Sequence, residues 1–304
     1  MSTAGLPQDE SVKWTNLSHR QIQDSLAEKG IEISLYHVKE MLKLRNYKKR
    51  SLLKMNSLKE TEGRNEQFEK IASYRAFFAA QGLPIISIDT KKKELIGNFS
   101  RSGTAYATGE RHANDHDFLT AAKGQIVPHG IYDVTDNTGY MTLGTSKDTS
   151  EFVCDNLFNC WTQFLQYKHL DAETMLLLCD GGGSNASAHY IVKQDLVKLA
   201  KSLNINILVA HYPPYCSKWN PIEHRLFSQV SHTWAGVPLL NIEFVKQLTD
   251  STSTRTGLKV VTSINTKKYQ TKREVNQDFK TNIDNYVQFD DVNPKLNYLI
   301  KGRI

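Results

Sequence analysis

Three acidic residues stand where chemistry on a phosphodiester could be done. Asp89 closes the apolar run Ile85-Ile86-Ser87-Ile88, and Asp180 closes Leu176-Leu177-Leu178-Cys179. Glu223 follows Asn220-Pro221, two residues suited to the start of a helix. Apolar runs without alternation fit strands covered on both faces, and ligand chemistry in open α/β sheets gathers at the carboxyl ends of strands. Two strand ends and one helix start could therefore deliver three carboxylates to one place. Their hard oxygens suit Mg2+, with Mn2+ as a substitute. Two such ions about 3.5–4 Å apart assist in-line displacement at phosphorus.

Each acid also has a plainer use. Asp89 could simply form a turn. Asp180 leads into Gly181-Gly182-Gly183-Ser184-Asn185, where glycines allow a tight turn but no nucleotide-binding glycine register appears. Glu223 falls at the capping-box position of a helix with Asn220 as N-cap and Pro221 first. No competing nucleophile motif occurs. His112, His116, His129, His211 and His224 match no zinc spacing. Cys154, Cys160, Cys179 and Cys216 form no Cys-x-x-Cys pair and read as reduced, mostly buried thiols of a cytosolic protein.

The elements that must position the acids follow from apolar spacing. Residues 1–13 read as a loose tail. Ser18 with Gln21 suggests a capping box opening a helix with Ile22, Leu26 and Ala27 on its apolar side. Gly30 ends it, and Ser34 opens a second helix carrying Leu35, Val38, Met41 and Leu42. That outline is helix-turn-helix-like over 1–60. A connecting helix is expected over 61–83, with Phe68, Ile71, Phe78 and Ala79 as its stripe.

From 84 to 304 the chain reads as one mixed α/β domain. The strand at Ile85–Ile88 is followed by a hairpin, Gln125–Val134 with Tyr140–Thr145. A helix begins behind an Asp148–Glu151 capping pair, and the strand Met175–Cys179 comes next. A helix over 187–203, the strand Ile205–Ala210 and a helix from Pro221 complete the reading. Strand–helix–strand–helix–strand predicts parallel neighbours.

Composition is that of an ordinary globular protein, with 39% hydrophobic and 23% charged residues among 304. No apolar run is long enough for a spanning helix and no signal-peptide pattern opens the chain, so no membrane role and a cytoplasmic place are expected. The formal charge of +6 is unevenly spread. Lys39, Lys43, Arg45, Lys48, Lys49, Arg50 and Lys54 face one acid, Glu40, between Lys39 and Lys54. The segment reads either as a solvated helix face and linker or as a contact for a polyanion. Lys91, within Lys91-Lys92-Lys93, and Lys218 are further candidate contacts to a DNA strand, although the lysine run reads equally well as exposed residues of a turn.

Longer motifs carry a family resemblance. Ile88-Asp89-Thr90-Lys91-Lys92-Lys93-Glu94-Leu95-Ile96-Gly97-Asn98-Phe99 resembles the opening signature of the Rhodopirellula-type DDE transposases of insertion sequences. His116-Asp117-Phe118, Gly130-Ile131-Tyr132-Asp133, Asp180-Gly181-Gly182-Gly183-Ser184-Asn185 and Ser217-Lys218-Trp219-Asn220-Pro221-Ile222-Glu223-His224-Arg225-Leu226-Phe227-Ser228 also resemble that family. So do Thr252–Leu258 and Leu296-Asn297-Tyr298, which takes the match from about residue 14 to the C-terminus.

The resemblance implies a ribonuclease-H-like mixed sheet flanked by helices, with Asp89, Asp180 and Glu223 as a DDE triad holding Mg2+. The strand order read above agrees, with Asp89 on the first strand, Asp180 on the fourth and Glu223 on the following helix. The resemblance also implies cleavage at the inverted-repeat ends of a mobile element, strand transfer into target DNA, and a homodimer or larger assembly on DNA in a bacterial nucleoid. Relatives carry more helical sequence ahead of Trp14, which implies an incomplete DNA-binding module. The alternative function is a catalytically silent, truncated transposase that binds DNA as a repressor; a third is a general ribonuclease-H-like nuclease.

Overall fold

The computed structural model describes residues 15–49, 63–114, 119–182, 187–214 and 216–303. The expected tail over 1–13, the boundary near residue 60, Arg50, Lys54, His116 and much of the glycine loop lie outside them. The chain divides into two units, Met1–Leu58 and Lys59–Ile304.

In the first unit, α1 (His19–Ala27) opens with the expected capping box between Ser18 and Gln21. Helix α2 (Leu35–Leu44) is capped by Ser34, and Gly30 turns the chain between them at φ +76°. That left-handed conformation suits a residue without Cβ. Gln23 ties the pair by donating to the Ile33 carbonyl at 2.7 Å. Only Val38 is buried in α2, so the basic side chains of this segment stand in solvent.

The second unit is built on nine strands among the described residues: β1 (Ile85–Thr90), β2 (Glu94–Ile96), β3 (Gly124–Asp133), β4 (Thr138–Gly144), β5 (Thr174–Cys179), β6 (Asn206–His211), β7 (Lys259–Asn265), β8 (Val287–Phe289) and β9 (Asn297–Ile300). Their order is β7-β4-β3-β1-β5-β6-β9-β8, with β2 paired to β3. The central strands β1, β5 and β6 run parallel, as the alternation of strands and helices predicts. The hairpin β3–β4 lies antiparallel beside β1. A parallel trio flanked by an antiparallel hairpin is the ribonuclease-H-like arrangement.

Helices cover both faces. Helices α4 (Ser150–Gln163) and α5 (Tyr190–Leu203) bury Val153, Leu157, Val192 and Leu196 against Ile86 and Ile88 of β1 and Leu177 of β5. On the opposite face α3 (Arg64–Ala80), expected as a connector, packs Ile71 and Phe78 on Ile85, Leu176 and Leu178. Beside it runs a helix from Pro221 through α6 (Ser228–Trp234), followed by α7 (Ile242–Asp250), over the hairpin. No helix among the described residues is long and apolar enough to cross a membrane.

Three details differ from expectation. The N-cap of α4 is Thr149, whose hydroxyl accepts from the Phe152 amide at 3.2 Å. Asp148 instead accepts from Thr90 Oγ1 at 3.2 Å and so ties the helix start to β1. The strand carrying Asp180 is the fifth in the chain, because β2 intervenes. Both sheet edges are completed by strands beyond residue 258, outside the sequence-based reading: β7 joins β4 and β9 joins β6.

Close approach of the Pro221–Trp234 helix to the hairpin requires two glycines. A Cβ at Gly130 would lie 2.5 Å from the Phe227 ring and 2.8 Å from Ile222 Cδ1. One at Gly139 would lie 2.4 Å from Leu226. Ile222, Leu226 and Phe227 are buried and cannot swing away cheaply. Gly130→Ala is expected to destabilise the protein by ~1–3 kcal/mol, the usual cost of overpacking. Gly109→Ala, where a Cβ meets nothing within 4 Å, should change stability by less than ~0.5 kcal/mol. Equal urea midpoints for the two variants would contradict this account.

Candidate active site

Asp89 lies one residue before the end of β1, opposite Gly130 of β3, and Asp180 directly follows β5. Because β1 and β5 are parallel neighbours, both acids emerge at the same end of the sheet. Glu223 comes from the helix on the face that Ser87 looks toward, and its carboxyl is within hydrogen-bonding reach of Asp89. The structure thus brings the three acids together.

The helix bearing Glu223 is not regular. Residues Glu223–Phe227 form one π-helical turn, in which the Ser228 amide donates to the Glu223 carbonyl. Such π turns inside α-helices are frequent at functional sites. The register of this turn is fixed by a buried hydrogen-bond clamp. Ser87 Oγ donates to Asn220 Oδ1 at 2.6 Å and accepts from the Ile222 amide at 3.1 Å. Asn220 Nδ2 donates to the Ile88 carbonyl at 3.0 Å. Both side chains are 0% exposed. This corrects the expected helix N-cap: the Asn220 side chain binds β1 rather than its own helix.

Asp180 is held from behind. His211 sits opposite Cys179 in the β5–β6 register, and its Nδ1 lies 2.8 Å from the Asp180 carbonyl oxygen. A carbonyl only accepts, so Nδ1 carries the proton and Nε2 accepts from the Tyr298 hydroxyl at 2.9 Å. Burial holds the imidazole down at about 4, so it is neutral and adds no charge to the site. Tyr298 belongs to β9, so the last strand supports the second acid. Asp180 Oδ1 also accepts from the Gly182 amide at 3.3 Å, which starts the glycine turn.

Electrostatically the cluster is costly. Burial pushes the Asp89 carboxyl up to about 8, and the charges of Asp180 and Glu223 add to the rise. The Thr90 amide, donating to Asp89 Oδ1 at 2.7 Å, works against it. Among the described residues, no three His, Cys, Asp or Glu groups already close around a cation. An all-oxygen set of mutually repelling carboxylates nevertheless fits hard divalent ions, which bind through few protein groups and keep water and substrate oxygens as their other ligands.

The remaining candidate residues are scattered. Lys39, Lys43, Arg45, Lys48 and Lys49 are exposed in the first unit, with Lys39 and Lys43 one helical turn apart on α2. Lys218 is exposed on the turn before Asn220. Lys91 is placed differently from its neighbours. Its ammonium pairs with Glu94 at 3.1 Å and lies 5.1 Å from the Trp234 ring centroid, with 13% of its side chain exposed. It is committed to its own domain, while Lys92 and Lys93 are exposed. Among the described residues the histidines form no joint site: His129 and His211 are buried in separate surroundings, and His112 and His224 are exposed.

The sequence-based reading missed the supporting residues, although signals existed. Ser87 is the one polar residue in an apolar buried run, and a buried hydroxyl requires a partner. Gly130 and Gly139 interrupt strands on a common face.

A family model described as the Rhodopirellula transposase DDE domain matches residues 1–302, further toward the N-terminus than the motifs alone. Among solved structures, the chain is similar to a Mos1 transposase paired-end complex with the left transposon end, at 15% identity and a TM-score of 0.46, over 78% of this chain and 70% of that one. A pre-cleavage Mos1 transpososome gives 14% identity and a TM-score of 0.47, over 78% and 71%. The Mos1 mariner paired-end complex with Mn gives 16% and 0.45, again over 78% and 71%. No curated protein matches the chain.

Folding raises the Asp89 pKa from the ordinary carboxylate value near 4 to about 8. Between those pH values the native protein therefore holds more protons than the unfolded chain, and stability must fall as pH rises through that window. Asp89→Asn removes this slope. In metal-free urea melts, wild type should lose stability relative to Asp89→Asn by more than ~1.4 kcal/mol between pH 5 and pH 8, the worth of one pKa unit. Parallel pH profiles would contradict the assignment of strain to Asp89.

Proposed function

We propose, from the premise that this chain belongs to the Rhodopirellula transposase DDE family and is a transposase, that it cleaves DNA at the inverted-repeat ends of its mobile element with Mg2+ and joins the freed 3′-hydroxyl to target DNA. The observation that carries this reading is the convergence of Asp89, Asp180 and Glu223, with Asp89 driven up by burial and by its two acidic neighbours. A folded protein retains such repulsion where a function uses it.

Bound divalent ions would supply the positive charge that stabilises the attacking and leaving oxygens at phosphorus. The chain's own residues do the rest. Asp89 and Asp180 offer oxygens from adjacent strand ends, and Glu223 offers its own from the helix across them. The Ser87–Asn220 clamp sets the height of Glu223 over Asp89, while neutral His211 holds the Asp180 backbone without competing for cations.

Exposed Lys92, Lys93 and Lys218 are available to phosphates near the site. In the first unit, Lys39, Lys43, Arg45, Lys48 and Lys49 are exposed, form no ion pair among the described residues, and would bind backbone phosphate with a salt-sensitive affinity. That unit is read as the helix-turn-helix-like module for the element ends, joined to a catalytic domain over 84–304. Pairing two ends calls for at least two protomers, and the work is done in the compartment of the chromosome.

Asp180→Asn is the direct test. Nicking of a duplex carrying the inverted repeat should fall by more than the ~10–100-fold typical of residues one layer behind a metal ligand, with duplex affinity retained. Unchanged Mg2+-dependent nicking would overturn the triad. Tight repeat binding by wild type without cleavage would instead indicate a silent DNA-binding relative.

A further inference from the structure

Trp219 is the least expected residue near the three acids. It ends the short turn Ser217–Trp219, immediately before the fully buried Asn220 that anchors the Glu223 helix to β1. Yet 53% of the tryptophan is exposed. A large aromatic left in solvent forgoes the stabilisation its burial would bring, so its exposure beside a buried anchor asks for a role.

Its ring is not loose. Phe68 of α3 meets it edge-on, with centroids 6.0 Å apart and planes at 74°. Phe68 is in turn backed by Tyr212, centroids 6.1 Å apart, just past the end of β6. The indole is thus braced by Phe68 and follows on the chain from the anchored Asn220, at the end of the sheet where Asp89 and Asp180 emerge. Lys218 Nζ lies 5.5 Å from the indole centroid and makes no ion pair among the described residues, so a cation accompanies the aromatic surface.

An anchored aromatic surface with an adjacent free ammonium suits single-stranded nucleic acid: bases stack on the ring while the cation meets the phosphate. We propose that Trp219 is a stacking platform for an unpaired base next to the scissile phosphate, holding the strand end splayed from the duplex at the carboxylates. The inference rests on the transposase reading and adds the state of the DNA that the site prefers. A protein partner would use the same indole as an apolar anchor, but the accompanying unpaired lysine favours a phosphate-bearing ligand.

The probe is a 20-base-pair duplex, either blunt or with a three-nucleotide 3′ overhang containing 2-aminopurine, bound in Ca2+ buffer without turnover. Base–aromatic stacking is worth ~1–3 kcal/mol, so wild type should prefer the overhang by at least ~5-fold and quench the probe. Trp219→Ala should lose the preference and the quenching while its affinity for the blunt duplex and its salt slope stay unchanged. Trp219→Phe should keep most of both.

Preference and quenching retained in Trp219→Ala would overturn the proposal. So would equal loss of both affinities, which marks a structural role, or a shift of the DNA-free protein toward monomer in sedimentation, which marks a protein contact. Wild type that binds neither duplex would sink this inference together with the transposase reading. An active wild type with no overhang preference would sink the inference alone.

Discussion

The hydrogen bond between Ser87 and Asn220 joins the two halves of the candidate site. Asp89 and Asp180 come from neighbouring strands, so backbone pairing alone sets their separation. Glu223 has no such guarantee, since a helix packed on a sheet by apolar contacts can slide or rotate by fractions of an ångström at small cost. Two fully buried polar side chains remove that freedom, because displacing the helix would strand Ser87 Oγ, the Asn220 amide and the Ile222 amide away from water. The π turn begins three residues after this anchor. Within that turn Glu223 reaches Asp89, while Leu226 and Phe227 lie against Gly139 and Gly130.

That rigidity has an electrostatic counterpart. Left to relax, three carboxylates would separate, and the direction of the Asp89 shift shows that they do not. The resisting framework surrounds the site. Ile86 and Ile88 are locked under α4 and α5, the Asp180 carbonyl is bound to a neutral histidine, and Glu223 is clamped. Neutrality matters here. A protonated imidazole behind Asp180 would stabilise the carboxylates by itself and weaken the demand for an external cation. Burial, aided by the charge of Lys193, keeps His211 neutral, so the unmet charge is directed outward.

What could be read from the chain, and what could not, divides along physical lines. The strands β1, β5 and β6 and the hairpin announced themselves because they are buried on both faces and so lack polar alternation. The caps at Ser18 and Ser34 were legible because they are local. Asn220 was read as a local cap too, and that failed: an Asn before a Pro satisfies the same pattern whether its amide turns to its own helix or to a strand over 130 residues away. The separate placement of Lys91 was hidden for a related reason. Three successive lysines look alike in sequence, and only the tertiary placement of Glu94 and Trp234 separates the first from its neighbours. Strand β7 escaped because a half-exposed edge strand carries a weak pattern, as the alternating burial of Lys259–Asn265 illustrates, and β9 because four residues, Asn297–Ile300, are too few to show one.

The far edge of the sheet bears on the site more than its distance suggests. Gln67 of α3 and Asn297 of β9 exchange paired amide hydrogen bonds at 2.8 and 2.7 Å, and Gln67 also donates to the His211 carbonyl at 2.9 Å. Both amides are 0% exposed. The helix expected only to connect two modules is therefore fastened to the strand whose tyrosine holds His211, and through His211 to Asp180. The same helix contributes Phe68 beneath Trp219. One helix thus braces the backbone of the second acid by buried amides and the exposed aromatic by an edge-on ring. Displacing α3 would loosen both at once, which makes it part of the active-site framework rather than a spacer.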